Sequence, residues 1–101
     1  MTVGFLVEVE ARPDKVDETV AFLEAAPAMV EKERGLTSWC VSRTGPTTFV
    51  SFNSFVDDGA RQEHLAGELA TALAERADEL FAAPPTVVPH EVLAQVLPAG
   101  K

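Results

Sequence analysis

The sequence lacks several features that whole classes of protein require. Its 101 residues include one cysteine, Cys40, and no tyrosine. A lone cysteine excludes a disulfide within the chain, so we expect a cytoplasmic location. Cys40 also has no obvious basic neighbour, so we expect its thiol to be buried and inert. No apolar run approaches the ~20 residues that cross a bilayer, and no export signal is visible, so we expect no membrane partner.

Positive charge is also scarce. Eight Lys and Arg stand against 16 Asp and Glu, which gives a formal net charge of -8 at pH 7. Because phosphate is bound mainly by Lys and Arg, we expect no nucleic-acid partner. The sequence has neither a Gly-rich phosphate loop nor a nucleophile elbow. Its two histidines, His64 and His90, lack the spacing of a metal-ligand motif, so we predict no metal.

What is present is an alternation of strand-like and helix-like segments. The periodicity predicts strands at residues 3–11, 36–43, 48–56 and 86–97. It also predicts a helix that begins after Pro13, kinks or restarts near Ala26 because of Pro27, and ends at Gly35. A second helical region is predicted from Asp57 to Ala82, with Gly67 as a point of division. The order βαββαβ predicts one α+β domain over residues 1–97, ferredoxin-like, with a four-stranded antiparallel sheet, followed by a frayed tail at 98–101.

The sequence of the third strand predicts that both faces of the sheet carry apolar side chains. Phe49 and Phe55 point to one face, whereas Val50, Phe52 and Val56 point to the other. Two helices can cover only one face, and a contiguous exposed aromatic patch is uncommon on a monomer. We therefore expect a homodimer in which two sheets meet face to face.

A likeness to a known family is spread over nearly the whole chain. It is carried by residues 11–15 (ARPDK), 30–39 (VEKERGLTSW), 48–55 (TFVSFNSF) and 61–65 (RQEHL). Together these stretches resemble the antibiotic biosynthesis monooxygenase family. The resemblance implies a dimeric α+β barrel with a pocket between sheet and helices in each subunit. It also implies cofactor-free oxygenation of a quinol-like or aromatic polyketide-like small molecule by O2.

The sequence departs from two branches of that family. Relatives that oxygenate anthrones position the substrate with a tyrosine, and this chain has none. Haem-degrading relatives have an asparagine in the first strand and a tryptophan in the third. Here the first strand has no asparagine and Phe55 takes the tryptophan position, so we do not predict haem.

His64 is the first candidate for catalysis, because the family commonly has a histidine before leucine at this place. An imidazole titrates near working pH and can act as a general base that removes a phenolic proton. The alternative is a histidine on the helix surface, paired with Glu68 or Arg61.

The other candidates lie on the second and third strands. We predict Asn53 as a catalytic, substrate-orienting donor and Ser51 as a polar group of the pocket, although both could instead serve the dimer interface. Trp39, Phe49 and Phe55 are predicted to bind a flat aromatic substrate as walls, and packing is the alternative role of Trp39. Relatives often have glutamate where Asn53 stands.

The function that follows is an oxygenase without a cofactor. Triplet O2 reacts slowly with closed-shell molecules, so most oxygenases recruit flavin or a metal, and the sequence shows no site for either. A deprotonated phenol can itself donate the electron. The alternative is a non-catalytic protein, for ligand binding or stress response, that holds a hydrophobic metabolite in the same pocket.

Overall fold

The computed structural model describes residues 1–97, so the predicted tail at 98–101 lies outside the described residues. The elements in chain order are β1 (Val3–Glu10), α1 (Val16–Val30), β2 (Leu36–Arg43), β3 (Thr48–Phe55), α2 (Asp58–Leu65), α3 (Glu68–Leu80) and β4 (Thr86–Glu91). The strands form one antiparallel sheet in the order β2-β3-β1-β4. This confirms the predicted α+β, ferredoxin-like layout, with the second helical region split in two.

The two inner strands set which side chains face the helices. In the β1–β3 register, Phe5 lies opposite Asn53 and Val7 lies opposite Ser51. Side chains alternate between the faces of a strand, so these pairs share one face with the buried Phe55. The three helices pack on that face. Within residues 1–97 the opposite one, here called the open face, has no helix, and the segment after β4 crosses it only near Ser54, whose Oγ donates to Gln95 Oε1 at 3.4 Å.

The core lies between the helices and the inner strands. Its main cluster joins α1 to α3 and to β1 and β3, through residues such as Phe22, Leu80 and Phe49. A smaller cluster of Val3, Phe5 and Phe55 lies beneath α2. Phe5 and Phe55 meet edge to face, with ring centroids 6.3 Å apart. The larger cluster is continuous along the sheet, whereas the smaller one supports the end of the fold that carries α2.

Helix α1 tolerates Pro27 but ends earlier than predicted. Pro27 lies inside the helix, and its carbonyl still accepts a hydrogen bond from the Glu31 N–H at 2.9 Å. The helix ends at Val30, not at Gly35. The Glu33 N–H donates instead to the Val30 carbonyl at 2.9 Å, so a tight turn replaces the last helical turn. That turn directs the Glu33 side chain inward.

The second helical region divides at Gly67, as predicted. Asp57 caps α2, because its Oδ1 accepts a hydrogen bond from the Ala60 N–H at 2.9 Å. Helix α2 ends at Leu65, and the Gly67 N–H closes the last turn on the His64 carbonyl at 3.0 Å. Helix α3 then begins at Glu68. The division gives α2 a direction of its own and places His64 in its last turn.

Strand β4 is shorter than the predicted segment 86–97. It ends at Glu91, which pairs with Val3, the first residue of β1. Beyond that point β1 offers no further ladder partner, so the prediction of a strand to residue 97 was wrong. The Val92 N–H donates once more to the Thr2 carbonyl, at 2.9 Å, and the segment from Val92 to Leu97 then runs without regular structure.

The open face is partly apolar. Phe52 is 52% exposed and Val88 45% exposed. Cys40, which pairs with Phe52 in the β2–β3 register, is also exposed, so the expectation of a buried thiol was wrong. None of the helices within residues 1–97 is long and apolar enough to cross a membrane.

Candidate functional site

A hollow of about 90 Å³ lies between the sheet and the helices. Its floor comes from alternate residues of the strands, and its roof comes from α2 and α3. The lining residues are Phe5, Val7, Val9, Leu23, Trp39, Val41, Phe49, Val50, Ser51, Asn53, His64, Leu65, Leu69, Ala70, Leu73 and Val87. Most are aliphatic or aromatic, as in ligand pockets that exclude water and use a few polar groups for orientation.

The hollow opens at one side of the molecule. Leu65 on α2 and Val87 on β4 both line it, and both are nearly half exposed. Several residues of the inner strands that line it are buried, among them Phe5, Ser51 and Asn53. The opening therefore lies near Leu65 and Val87, and the polar side chains of the floor lie deeper.

His64 is buried in the wall of this hollow. Only 6% of the residue is exposed, and its Nδ1 lies 2.8 Å from Oε1 of Glu33. The alternative of a surface histidine paired with Glu68 or Arg61 was wrong. Glu68 forms an ion pair with Lys32, and Arg61 binds Asp58.

The hydrogen bond to Glu33 distinguishes the two ring nitrogens of His64. A carboxylate only accepts hydrogen bonds, so Nδ1 carries the proton and donates to Glu33. In the neutral imidazole Nε2 then has a free lone pair, and no side chain or backbone group of residues 1–97 binds it. The ring also packs on Phe55, with centroids 5.0 Å apart. The arrangement leaves Nε2 as the nitrogen available to a ligand.

Sequence reasoning missed Glu33. It lies in the turn after α1, 31 positions before His64, and neither helical periodicity nor strand alternation relates the two residues. Its Oε2 is buried without a hydrogen-bond partner in the described part of the chain. The one local signal was its position just before Gly35, within a stretch that carried the family likeness.

Trp39 and Asn53 form the polar part of the floor. They lie opposite each other on β2 and β3, as Val41 and Ser51 do two residues further along. All four line the hollow. Buried polar atoms without a partner in residues 1–97 include the indole Nε1 of Trp39 and Oδ1 of Asn53.

Phe49 and Phe55 occupy different positions. Phe49 lines the hollow at its far end, with the Arg43 guanidinium 5.5 Å from its ring centroid. Phe55 does not line the hollow; it is 0% exposed and lies behind His64. The structure thus brings Trp39, Phe49, Ser51, Asn53 and His64 to one cavity, while Phe55 supports the imidazole from the core.

The second histidine lies on the other side of the sheet. His90 pairs with Gly4, whose neighbours Val3 and Phe5 face the helices, so His90 belongs to the open face. Within residues 1–97 there is no group of three or more His, Cys, Asp and Glu side chains that could hold a metal ion. That the protein uses neither a metal nor a cofactor stays a prediction.

Comparisons with known proteins show which solved structures the chain as a whole resembles. No protein-family model and no curated protein sequence matches the chain. A crystal structure of a protein of unknown function from Nitrosomonas europaea matches with a TM-score of 0.93 and 37% identity, over 98% of this chain and 96% of that one. A protein from Mycobacterium tuberculosis matches with a TM-score of 0.86 and 20% identity, over 96% and 100% of the two chains.

The fold predicted from the resemblance is found among these matches. A structure described as an antibiotic biosynthesis monooxygenase has a TM-score of 0.77 and 17% identity to this chain, over 91% of this chain and 99% of that one. At this identity the likeness concerns the fold, whereas the likeness to the Nitrosomonas protein extends to the sequence. The chain therefore belongs to one family with that Nitrosomonas europaea protein, within the fold family of the antibiotic biosynthesis monooxygenases.

Proposed function

We propose that the protein is a cofactor-independent monooxygenase that oxidises a quinol-like or other phenolic aromatic molecule with O2. The observation that supports this most is His64, a buried imidazole in the wall of an apolar hollow with Nδ1 bound to a carboxylate. A base whose proton-accepting nitrogen is free, in a hollow lined mainly by apolar side chains, suits removal of a phenolic proton.

The chemistry begins with the substrate rather than with the protein. His64 takes the phenolic proton, and the electron-rich phenolate gives one electron to O2. The resulting radical and superoxide combine at a ring carbon to form a peroxide. The hydrogen on that ring carbon then passes as a proton to the outer peroxide oxygen while the O–O bond breaks, which leaves a carbonyl. The hydroxide released takes the proton held by His64 and departs as water. The sum is a phenol plus O2 giving a quinone plus water, with the substrate as the sole reductant.

The other residues of the hollow have supporting roles. Asn53 orients the substrate oxygen by a hydrogen bond, with Ser51 beside it on the same strand face. Trp39 and Phe49 provide flat surfaces for an aromatic ring. Phe55 acts indirectly, because it holds the His64 ring from behind.

We also propose a homodimer formed through the open face. Phe52 and Val88 lie exposed on it, and in the segment after β4 Leu93 is 88% and Val96 87% exposed. A two-fold interface joins the same patch of each subunit, and a second copy of this sheet offers the matching apolar surface. This assembly leaves the hollow, on the other side of the sheet, accessible in each subunit.

Oxygen consumption tests the proposed activity. The purified protein, stripped of metal by a chelator, is mixed with quinols and with anthrones, and O2 is followed by an electrode. We expect turnover that falls about 10²- to 10⁴-fold in His64→Ala, the usual contribution of a general base. His90→Ala is the matched control and keeps wild-type turnover, because His90 lies on the open face.

Two results would overturn the proposal. Turnover that is unchanged in His64→Ala removes His64 from the reaction. Tight binding of the aromatic compounds without any O2 consumption favours the alternative, a non-catalytic protein that holds a hydrophobic metabolite, which the largely apolar lining would also suit.

A further inference from the structure

We infer that Glu33 is a positioning residue, which fixes the tautomer and the orientation of His64 so that Nε2 is the nitrogen available to the substrate. This inference rests on the proposed role of His64 as the base. It concerns a residue outside the predicted site and assigns it a specific task. Glu33 does not line the hollow and acts through the imidazole.

The geometry is that of a charge-assisted hydrogen bond in a buried place. Glu33 Oε1 lies 2.8 Å from His64 Nδ1, with the histidine side chain 6% and the glutamate side chain 22% exposed. A free imidazole exchanges its proton between both nitrogens. A carboxylate at Nδ1 favours the Nδ1–H form, because only that form donates to it. In that form the lone pair stays on Nε2.

The surroundings of the pair limit its movement. A Cβ added to Gly67 would lie 3.3 Å from Glu33 Oε2 and 3.2 Å from the His64 carbonyl oxygen, so the carboxylate packs against the junction between α2 and α3. The ring of Phe55 packs on the His64 imidazole, with centroids 5.0 Å apart, and limits its rotation. Glu33 and Phe55 together leave His64 little freedom.

If the contact between Glu33 and His64 served only stability, the tautomer of His64 would not need to be defined. The tautomer of His64 is therefore the quantity to measure. The ¹⁵N resonances of His64 distinguish a protonated from an unprotonated ring nitrogen, and His90→Ala supplies the assignment. At about pH 8.5, above the usual histidine range, we expect the Nδ1–H form in the wild type. In Glu33→Ala the Nε2–H form should become populated. In Glu33→Gln the amide oxygen can still accept from Nδ1, so the Nδ1–H form should persist.

Turnover is measured on the same variants. We expect kcat for Glu33→Ala to fall at least about tenfold, and by no more than the roughly 10⁴-fold that a general base contributes, with little change in KM. Glu33→Gln should retain more activity than Glu33→Ala. The matched control is Glu31→Ala, an exposed glutamate two residues away. Thermal melts establish that each variant is folded before it is compared.

The outcomes separate this inference from the proposed function. If the wild type has His64 in the Nε2–H form, or if Glu33→Ala leaves the ¹⁵N spectrum of His64 unchanged, the inference is wrong, even where His64→Ala abolishes turnover. If Glu33→Ala shifts the tautomer while the wild type consumes no O2, the positioning by Glu33 holds and the oxygenase proposal fails.

Discussion

Trp39 and Asn53 lie opposite each other across the β2–β3 pair, and each keeps one buried polar atom without a partner in residues 1–97. The indole Nε1 of Trp39 is a donor and Oδ1 of Asn53 is an acceptor. A buried polar atom left unpaired costs about 1–3 kcal/mol, so few remain in folded proteins. Both residues line the hollow, so their unpaired atoms suit the hydrogen bond that we propose between the floor and the substrate oxygen.

Binding at this floor can be measured by fluorescence. Trp39 is the sole tryptophan of the sequence, which has no tyrosine, so intrinsic emission reports on the hollow. We expect a saturable change in emission when a phenol or naphthol is added. Asn53→Leu should weaken binding of the hydroxylated compound roughly 2- to 12-fold, the usual value of one hydrogen bond, and leave binding of the matched hydrocarbon unchanged. Equal losses for both compounds would contradict a polar role of Asn53.

The size of the hollow can be changed from the roof. Ala70 on α3 lines the hollow, so the larger side chain of Ala70→Leu should fill part of its 90 Å³. We expect KM or Kd for aromatic ligands to rise at least about tenfold, because a misplaced or excluded ring loses most of its contacts. Ala74→Leu, one turn further along the same helix at an exposed position, is the control and should have no effect. If both variants bind like the wild type, ligands do not enter the hollow.

Asp58 gives the fold a defined dependence on acid. Hydrogen bonds from Arg61, and then from Gln62, hold the pKa of Asp58 below its usual value of 3.8. A carboxyl with a lowered pKa in the folded state stabilises the protein above the unfolded-state pKa and loses that effect as pH falls through the folded-state value. Asp58→Asn should therefore lower Tm at pH 7, slightly because the group is exposed, and the difference should shrink below about pH 3.8.

Two controls belong to that measurement. Glu63→Gln on the same helix removes a charge outside this pair, and its effect on Tm should be smaller at pH 7. High salt should reduce the effect of Asp58→Asn, since exposed charges are screened. A Tm difference between Asp58→Asn and the wild type that grows toward acid pH would contradict the assignment.

The proposed homodimer depends on the open face. Phe52→Glu places a charge on an apolar patch that two subunits would bury, and we expect sedimentation of a monomer where the wild type sediments as a dimer. Phe52 is already 52% exposed in one subunit, so far-ultraviolet circular dichroism should be unchanged. Ala74→Glu on the exposed side of α3 is the control. A monomeric wild type, or a dimeric Phe52→Glu variant, would refute the interface.

Local patterns in the sequence identified most of the fold. The predicted bounds of β2 agree with the structure, and the alternation of β3 places Phe49 and Phe55 on the helix side and Phe52 on the open face. The failures have a common cause. Strand β4 ends at Glu91 because β1 begins at Val3, and helix α1 ends at Val30 in a turn that brings Glu33 toward α2. Both depend on contacts between distant segments, which no local period contains.

The same limit applies to the site. Strand alternation was sufficient to group Ser51 and Asn53 on one face, and the pairing of β2 with β3 then brought Trp39 to them. It could not identify the carboxylate that binds His64, because that pair joins the turn after α1 to the last turn of α2, which lie far apart in the chain. Nor could it separate Phe49, which lines the hollow, from Phe55, which lies behind the imidazole, since that depends on where α2 crosses the sheet.

The division of the site between sheet and helices has a consequence for how specificity can change. Phe5, Ser51 and Asn53 stand on the two inner strands, each hydrogen-bonded to neighbours on both sides, whereas Leu65 and Ala70 stand on separate short helices joined at Gly67. A lineage can therefore enlarge or reshape the space above a bound molecule by single replacements in the helices, and the rigid ladder beneath keeps its polar groups in register. Divergence in substrate among relatives should accordingly concentrate in the helical layer.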